Sequence, residues 1–244
     1  MNTKKIAVIT GGNSGIGLAT AKELISRGTT VIITGRRKEA VEKAAAEIGA
    51  IPLVADQANV GDISALSKLI EARFGKVDIL FINAGITGVA SFIENAEEEN
   101  FDQVMDINFK GAYFTLSKFI PLLNPGASVV FLSSNTASMH SPQSSIYQAS
   151  KVALNSIAKT AAAELAPGKI RVNTISPGPT KTNVLNNSYG EEMAGSIWEN
   201  LAGIVPLKKI GTPEDVAKMV AYLSSEHASY ITGADFLLDG GMTL

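Results

Sequence analysis

The chain has 244 residues, 45% of them hydrophobic and 18% charged, with a net charge of −2. That is enough chain for a large buried core, and no long basic run points to nucleic acid or an anionic membrane as a partner. With no cysteine, disulfides, thiol catalysis and cysteine-ligated zinc or iron–sulfur sites are excluded. The first apolar run, residues 6–9, is too short for a signal-peptide core and is soon followed by Gly11 and Gly12. No stretch approaches the ~20 apolar residues of a membrane span, so a cytoplasmic protein is expected. Strands are expected at 6–10, 30–34, 51–54, 79–83, 128–133, 170–175 and 236–238. Most are continuous apolar runs, the pattern of strands covered on both faces. Helix patterns lie between them at 16–27, 63–74, 101–123, 147–163 and 213–223. Gly28 is placed to end the first. Thr212, Pro213, Glu214 and Asp215 form a good start for the last, with an N-cap, a proline and two first-turn acids.

This alternation predicts one α/β domain over residues 1–244. The expected fold is a doubly wound Rossmann fold, its seven-stranded, mostly parallel sheet flanked by helices on both faces. Residues 181–205 are rich in Asn, Gly and Ser and contain Tyr189 and Trp198. They read as a surface insertion or a substrate lid. Their place after the sixth strand favours the lid, because open α/β sheets bind ligands beyond strand C-terminal ends.

The first strand runs into Gly11-Gly12-Asn13-Ser14-Gly15-Ile16-Gly17. Glycines permit a sharp turn and close approach of backbone to a pyrophosphate, and the following helix presents free N–H groups. The spacing of Gly11, Gly15 and Gly17 is G-x-x-x-G-x-G rather than the commoner G-x-G-x-x-G. The second strand ends in Gly35-Arg36-Arg37, where dinucleotide folds commonly place an acid for the ribose of NAD. A guanidinium can bind a 2′-phosphate that a carboxylate would repel. NADP(H) is therefore favoured and NAD(H) is the alternative; the bland reading leaves the arginines facing solvent.

Tyr147 and Lys151 are four residues apart, one helical turn on the same face. A phenol with its ordinary pKa of ~10 transfers protons poorly at neutral pH, and a nearby ammonium favours the phenolate. Ser134, 13 residues before the tyrosine, could share a substrate oxygen with it. By itself, such a Tyr–Lys pair is a common coincidence. His140 and His227 are far apart with no acidic cluster around them, so no metal site is expected. Glu97, Glu98 and Glu99 read as a solvated helix start.

Taken with their order and spacing, these residues resemble the short-chain dehydrogenase/reductase family over essentially the whole chain. Thr10-Gly11 with Gly15-Ile16-Gly17 matches the family's cofactor loop, including Asn13 and Ser14. Asp56, followed by Gln57, matches the acid that contacts adenine. Asn83-Ala84-Gly85 matches the turn after the fourth strand. Asn108, Ser134, Tyr147 and Lys151 match the catalytic residues. Pro177-Gly178, followed by Thr180 and Thr182, matches the nicotinamide-side turn, and Asp239-Gly240-Gly241 the C-terminal signature. Ile82, Pro179, Thr180 and Lys209 depart from common family residues.

The resemblance implies hydride transfer between nicotinamide and a carbonyl or secondary alcohol. Tyr147 would be the acid/base and Ser134 would hydrogen-bond the substrate oxygen. Lys151 would lower the tyrosine pKa and bind the nicotinamide ribose, while Asn108 would hold a water for proton resupply. Substrate-side candidates are His140, Gln143, Tyr189 and Trp198, beside Ser134 and Tyr147. The first expectation is an NADPH-dependent ketone or aldehyde reductase. A 3-oxoacyl-carrier-protein reductase and an NAD-dependent alcohol or sugar-alcohol dehydrogenase are alternatives. Lys181, Lys208 and Lys209 are thin support for the acidic carrier. A non-catalytic dinucleotide-binding regulator is disfavoured because all four catalytic positions are filled. The resemblance also implies a homotetramer, or a homodimer, built through the long middle helices and the last strand.

Overall fold

The computed structural model describes residues 4–182 and 191–244. Seven strands form one sheet in the order β3-β2-β1-β4-β5-β6-β7. They are β1 (Ile6–Thr10), β2 (Thr30–Gly35), β3 (Ile51–Val54), β4 (Val77–Ile82), β5 (Leu123–Leu132), β6 (Arg171–Pro177) and β7 (Asp235–Leu238). Every neighbouring pair is parallel, so the expected mostly parallel sheet is parallel throughout.

The helices are α1 (Gly15–Ser26), α2 (Lys38–Ile48), α3 (Val60–Phe74), α4 (Glu98–Met105), α5 (Gly111–Phe119), α6 (Ser145–Leu165), α7 (Glu191–Ile204) and α8 (Pro213–Leu223). Successive strand residues point to opposite faces of the sheet, and each face has its own core. Val8, Ile32, Leu80 and Val129 pack with Leu66 and Ile70 of α3, Leu116 and Phe119 of α5, and Leu154 of α6. Ala7, Ile9, Ile33, Phe81 and Val130 pack with Leu24 of α1, Val41 of α2 and Val220 of α8. Two cores explain why the strands read as unbroken apolar runs. Each fully buried Ile, Leu or Phe contributes about 1.5–3 kcal/mol.

The capping box predicted for the last helix is present: the Thr212 hydroxyl accepts from Asp215 N, and the Asp215 carboxylate accepts from Thr212 N.

Three regions differ from the sequence expectations. The helix α2 has no counterpart there: two of the four residues in its apolar stripe of Val41, Ala44, Ala45 and Ile48 are alanines, which bury little apolar surface. The single helix expected at 101–123 is interrupted by a π turn at Asp106–Lys110. It then tightens into a 3₁₀ turn at Ile120–Leu122, which contains Pro121 and leads into an earlier start of β5. Residues 191–204 of the expected lid form a helix. Its inward row, Ala194, Ile197, Trp198, Leu201, Ala202 and then Val205 beyond its end, has helical spacing that the surrounding polar residues disguised. Tyr189 lies outside the described residues.

Candidate active-site cleft

The strand order turns outward in both directions from β1 and β4, the point at which open parallel sheets leave a crevice. Thr10 ties the two strand ends together. Its buried hydroxyl accepts hydrogen bonds from Asn83 N and Ala84 N, each 3.0 Å long. The Asn83 amide donates in return to Thr10 O and Gly11 O, at 2.9 and 3.0 Å. A Cβ on Gly17 would overlap Gly11 O, so glycine is what lets α1 begin directly against the loop. Ser14 caps α1 in an extended conformation without a side-chain hydrogen bond, and no acid occupies the first turn. The helix start thus favours an anion.

A continuous cleft of about 820 Å³ runs across these strand ends, within the usual size range of cofactor sites. The loop residues Gly11, Asn13, Ser14, Gly15 and Ile16 line it, followed by Arg36 and Arg37 after β2 and by Asp56 and Gln57 after β3. Asn83, Ala84 and Gly85 line its middle, and Tyr147 and Thr182 also border it. Asp56 Oδ1 accepts from Ala58 N at 3.0 Å, which fixes the turn into α3, and Gln57 Nε2 donates to Thr115 Oγ1 at 3.1 Å. Arg36 and Arg37 are exposed, and no carboxylate among the described residues forms an ion pair with either. At Gly35 a Cβ would lie 2.8 Å from Asn13 Oδ1 and 2.9 Å from Val41 Cγ2. The Asn13 side chain therefore takes the space that a larger residue at the end of β2 would use.

At the other end, Ser134 caps the short 3₁₀ turn Asn135–Ser138 after β5, its hydroxyl accepting from Thr136 N at 3.2 Å. Tyr147 and Lys151 lie one turn apart on α6, with Lys151 Nζ 5.6 Å from the Tyr147 ring centroid. Lys151 is 3% exposed, and its ammonium donates to Leu132 O at 2.9 Å. Burial lowers its pKa from 10.5 to about 8. Burial also raises the Tyr147 phenol above its ordinary 10, and a hydrogen bond with Ser134 offsets only part of that rise. The upward shift comes from burial, and Lys151 is not among its causes. Both groups are desolvated, and the serine is what favours the phenolate.

Asn108 sits inside the π turn, fully buried. Its Oδ1 accepts from Ile86 N at 2.8 Å, and its Nδ2 donates to Ile86 O at 2.8 Å and to Ser150 Oγ at 3.0 Å. Both amide hydrogens are spent, so the side chain fastens the loop after β4 to α6 rather than offering a donor to a water. The π turn itself is a feature often found at functional sites.

The remaining candidates, like Ser134 and Asn108, fall outside the cleft lining. Gly17 packs behind the loop. Pro177, Gly178 and Thr180 form the turn after β6, where Gly178 N donates to Leu238 O at 3.1 Å and Thr180 pairs with Gly211. Lys151 stands behind Gly85, its Nζ 3.4 Å from where a Cβ there would lie. His140 is exposed, its Nδ1 3.3 Å from Gln148 Nε2, and Gln143, also exposed at φ 66°, accepts from Ser91 N through its carbonyl. Trp198 is buried in α7. Ala40, Lys43, Ala44 and Glu47 line the cleft but are absent from the sequence expectations. Their i, i+3, i+4, i+7 spacing along one helix face is the signal that would have found them. Among the described residues, no three His, Asp or Glu side chains gather as metal ligands, and no helix is long and apolar enough to cross a membrane.

Residues 11–243 match a family model described as enoyl-(acyl carrier protein) reductase. A 3alpha-hydroxysteroid dehydrogenase from Mediterraneibacter gnavus is 34% identical, the match covering 98% of this chain and 97% of that protein. An NADP-dependent (R)-specific alcohol dehydrogenase from Lentilactobacillus kefiri is also 34% identical, over 98% of this chain and 96% of that one. The chain belongs to the short-chain dehydrogenase/reductase family of oxidoreductases. Among solved structures, a 3-ketoacyl-(acyl-carrier-protein) reductase from Brucella melitensis, complexed with NADH, superposes with a TM-score of 0.89. It is 33% identical, over 98% of both chains.

Proposed function

We propose that the protein is an NADP(H)-dependent reductase of ketones or aldehydes, with Tyr147 as its acid/base. The observation that carries this reading is the single cleft that has Arg36 and Arg37 at one end and Tyr147 at the other. Its fit to a dinucleotide rests on the chain itself. Gly11 and Gly17 let backbone close around a pyrophosphate, and the α1 start lacks a side-chain cap. The end of β2 carries two free guanidinium groups and no carboxylate, a donor set suited to a 2′-phosphate. Asp56, Gln57, Asn83 and Thr182 border the same cleft and would hold adenine, ribose and nicotinamide side, with the Pro177-Gly178 turn behind them.

Bound there, a reduced nicotinamide cofactor would supply the hydride. The chain's own task is orientation and proton management. Tyr147 donates its phenolic proton to the carbonyl oxygen, and Ser134 hydrogen-bonds that oxygen as charge develops. A phenol kept protonated by burial suits the acid role at neutral pH. Lys151, with a pKa of about 8, provides an ionisable donor behind the ring from which the tyrosine recovers its proton. Asn108 positions this assembly through Ile86 and Ser150. Residues 181–205 act as the substrate lid, which includes α7 and its buried Trp198. A homotetramer and a cytoplasmic location complete the reading.

Steady-state kinetics with NADPH and NADH against aryl ketones, diketones, acetoacetyl thioesters and sugars test it. Carbonyl-dependent NADPH oxidation is the expected result. Activity confined to acetoacetyl thioesters would select the carrier-protein substrate class instead. Cofactor binding without turnover on any carbonyl would overturn the reading.

A further inference from the structure

The cleft does not stop at Arg36 and Arg37. It continues along one face of α2, where Ala40, Lys43, Ala44 and Glu47 border it. Lys43 lies five residues beyond the first residue of that helix, about 7.5 Å along its axis. Helical side chains lean toward the N-terminus, which is the end of α2 at which Arg36 and Arg37 stand. The two alanines keep the floor of the groove low. The helix start adds to the same field: Arg37 is the N-cap residue and makes no side-chain cap. The other lysine of α2, Lys38, pairs with Glu42. Lys43 forms no ion pair with any described carboxylate, although Glu47 lies one turn further along the same row.

We infer that Lys43 is a specificity-determining residue, a third cation that reads the 2′-phosphate of NADP(H) from the α2 face of the cleft. This rests on the cofactor reading above and extends it to a residue outside the strand end. The phosphate would meet Arg36 and Arg37 from the β2 side and Lys43 from the helix side. Selectivity would then be set by an enclosing arc of charge rather than by the arginines alone.

Calorimetric titration with adenosine 2′,5′-bisphosphate and with ADP tests this without any turnover. The Lys43→Gln variant should bind the bisphosphate about fivefold more weakly and ADP unchanged. Lys38→Gln removes the same charge from the same helix outside the cleft and should leave both affinities unaltered. An unchanged bisphosphate affinity in Lys43→Gln overturns the inference. So does an equal loss for both nucleotides, or an equal effect of Lys38→Gln. If, in those cases, Arg36→Gln still loses the bisphosphate preference, the cofactor reading stands alone. Wild-type protein that binds NADPH no more tightly than NADH overturns both.

Discussion

Replacing Lys151 by methionine should make the folded protein more stable at neutral pH. Lys151 is buried, and its ammonium donates a hydrogen bond to Leu132 O. Its pKa falls from 10.5 in the unfolded chain to about 8 in the fold. Below pH 8 both states carry the proton, and the fold bears the full desolvation cost. Between pH 8 and 10.5 the unfolded chain binds more protons, so wild-type stability rises with pH through that window. A fall from 10.5 to about 8 corresponds to about 3 kcal/mol. Methionine keeps the apolar stem and has no charge to desolvate, but it leaves Leu132 O without this donor, which costs about 1 kcal/mol. The net gain at pH 7 is about 2 kcal/mol, or about 5 °C in Tm for a chain of this size. It should disappear, and slightly reverse, by about pH 10.5. Urea denaturation of both proteins at one concentration, at pH 7, 9 and 10.5, measures the difference. A variant no more stable than wild type at pH 7, or a difference that does not change with pH, would refute the reasoning. Such a gain would be stability that the wild type forgoes for its proton donor.

Two further substitutions probe the cofactor end. Gly35→Asp, the obvious change to favour NADH, should be poorly tolerated alone. Its Cβ would press on Asn13 Oδ1 and Val41 Cγ2, at a cost of about 1–3 kcal/mol. Combining it with Asn13→Gly should recover stability in thermal melts and gain NADH affinity by titration; a single variant as stable as wild type contradicts the packing argument. Thr10→Val should lose about 2–4 kcal/mol in denaturant unfolding, because Asn83 N and Ala84 N both lose their acceptor. A loss under 1 kcal/mol would mean that the two strand ends are held together otherwise.

The strands were legible because parallel strands with a core on each face leave little polar interruption, and β1 and β3 appear with the predicted bounds. The last helix was legible for a different reason: its capping box and N-terminal proline lie within four residues of sequence. The interrupted helix was not, since a π turn depends on Asn108 reaching Ile86, 22 residues away. The glycine loop and Arg36 were visible as a local pattern, yet Lys43 needed α2 to be recognised before its face could be assigned. The proton chemistry was the least legible part. Four-residue spacing puts Lys151 beside Tyr147, but the burial that raises one pKa and lowers the other belongs to the assembled sheet.

The central claim is that the Tyr147 hydroxyl carries the proton. The Tyr147→Phe variant removes that oxygen and keeps the ring that lies 5.6 Å from Lys151 Nζ. With thermal stability and NADPH affinity shown to match wild type, its kcat for carbonyl reduction should fall by about 10²–10⁴-fold. A variant that binds NADPH normally and keeps kcat within tenfold of wild type would contradict the account.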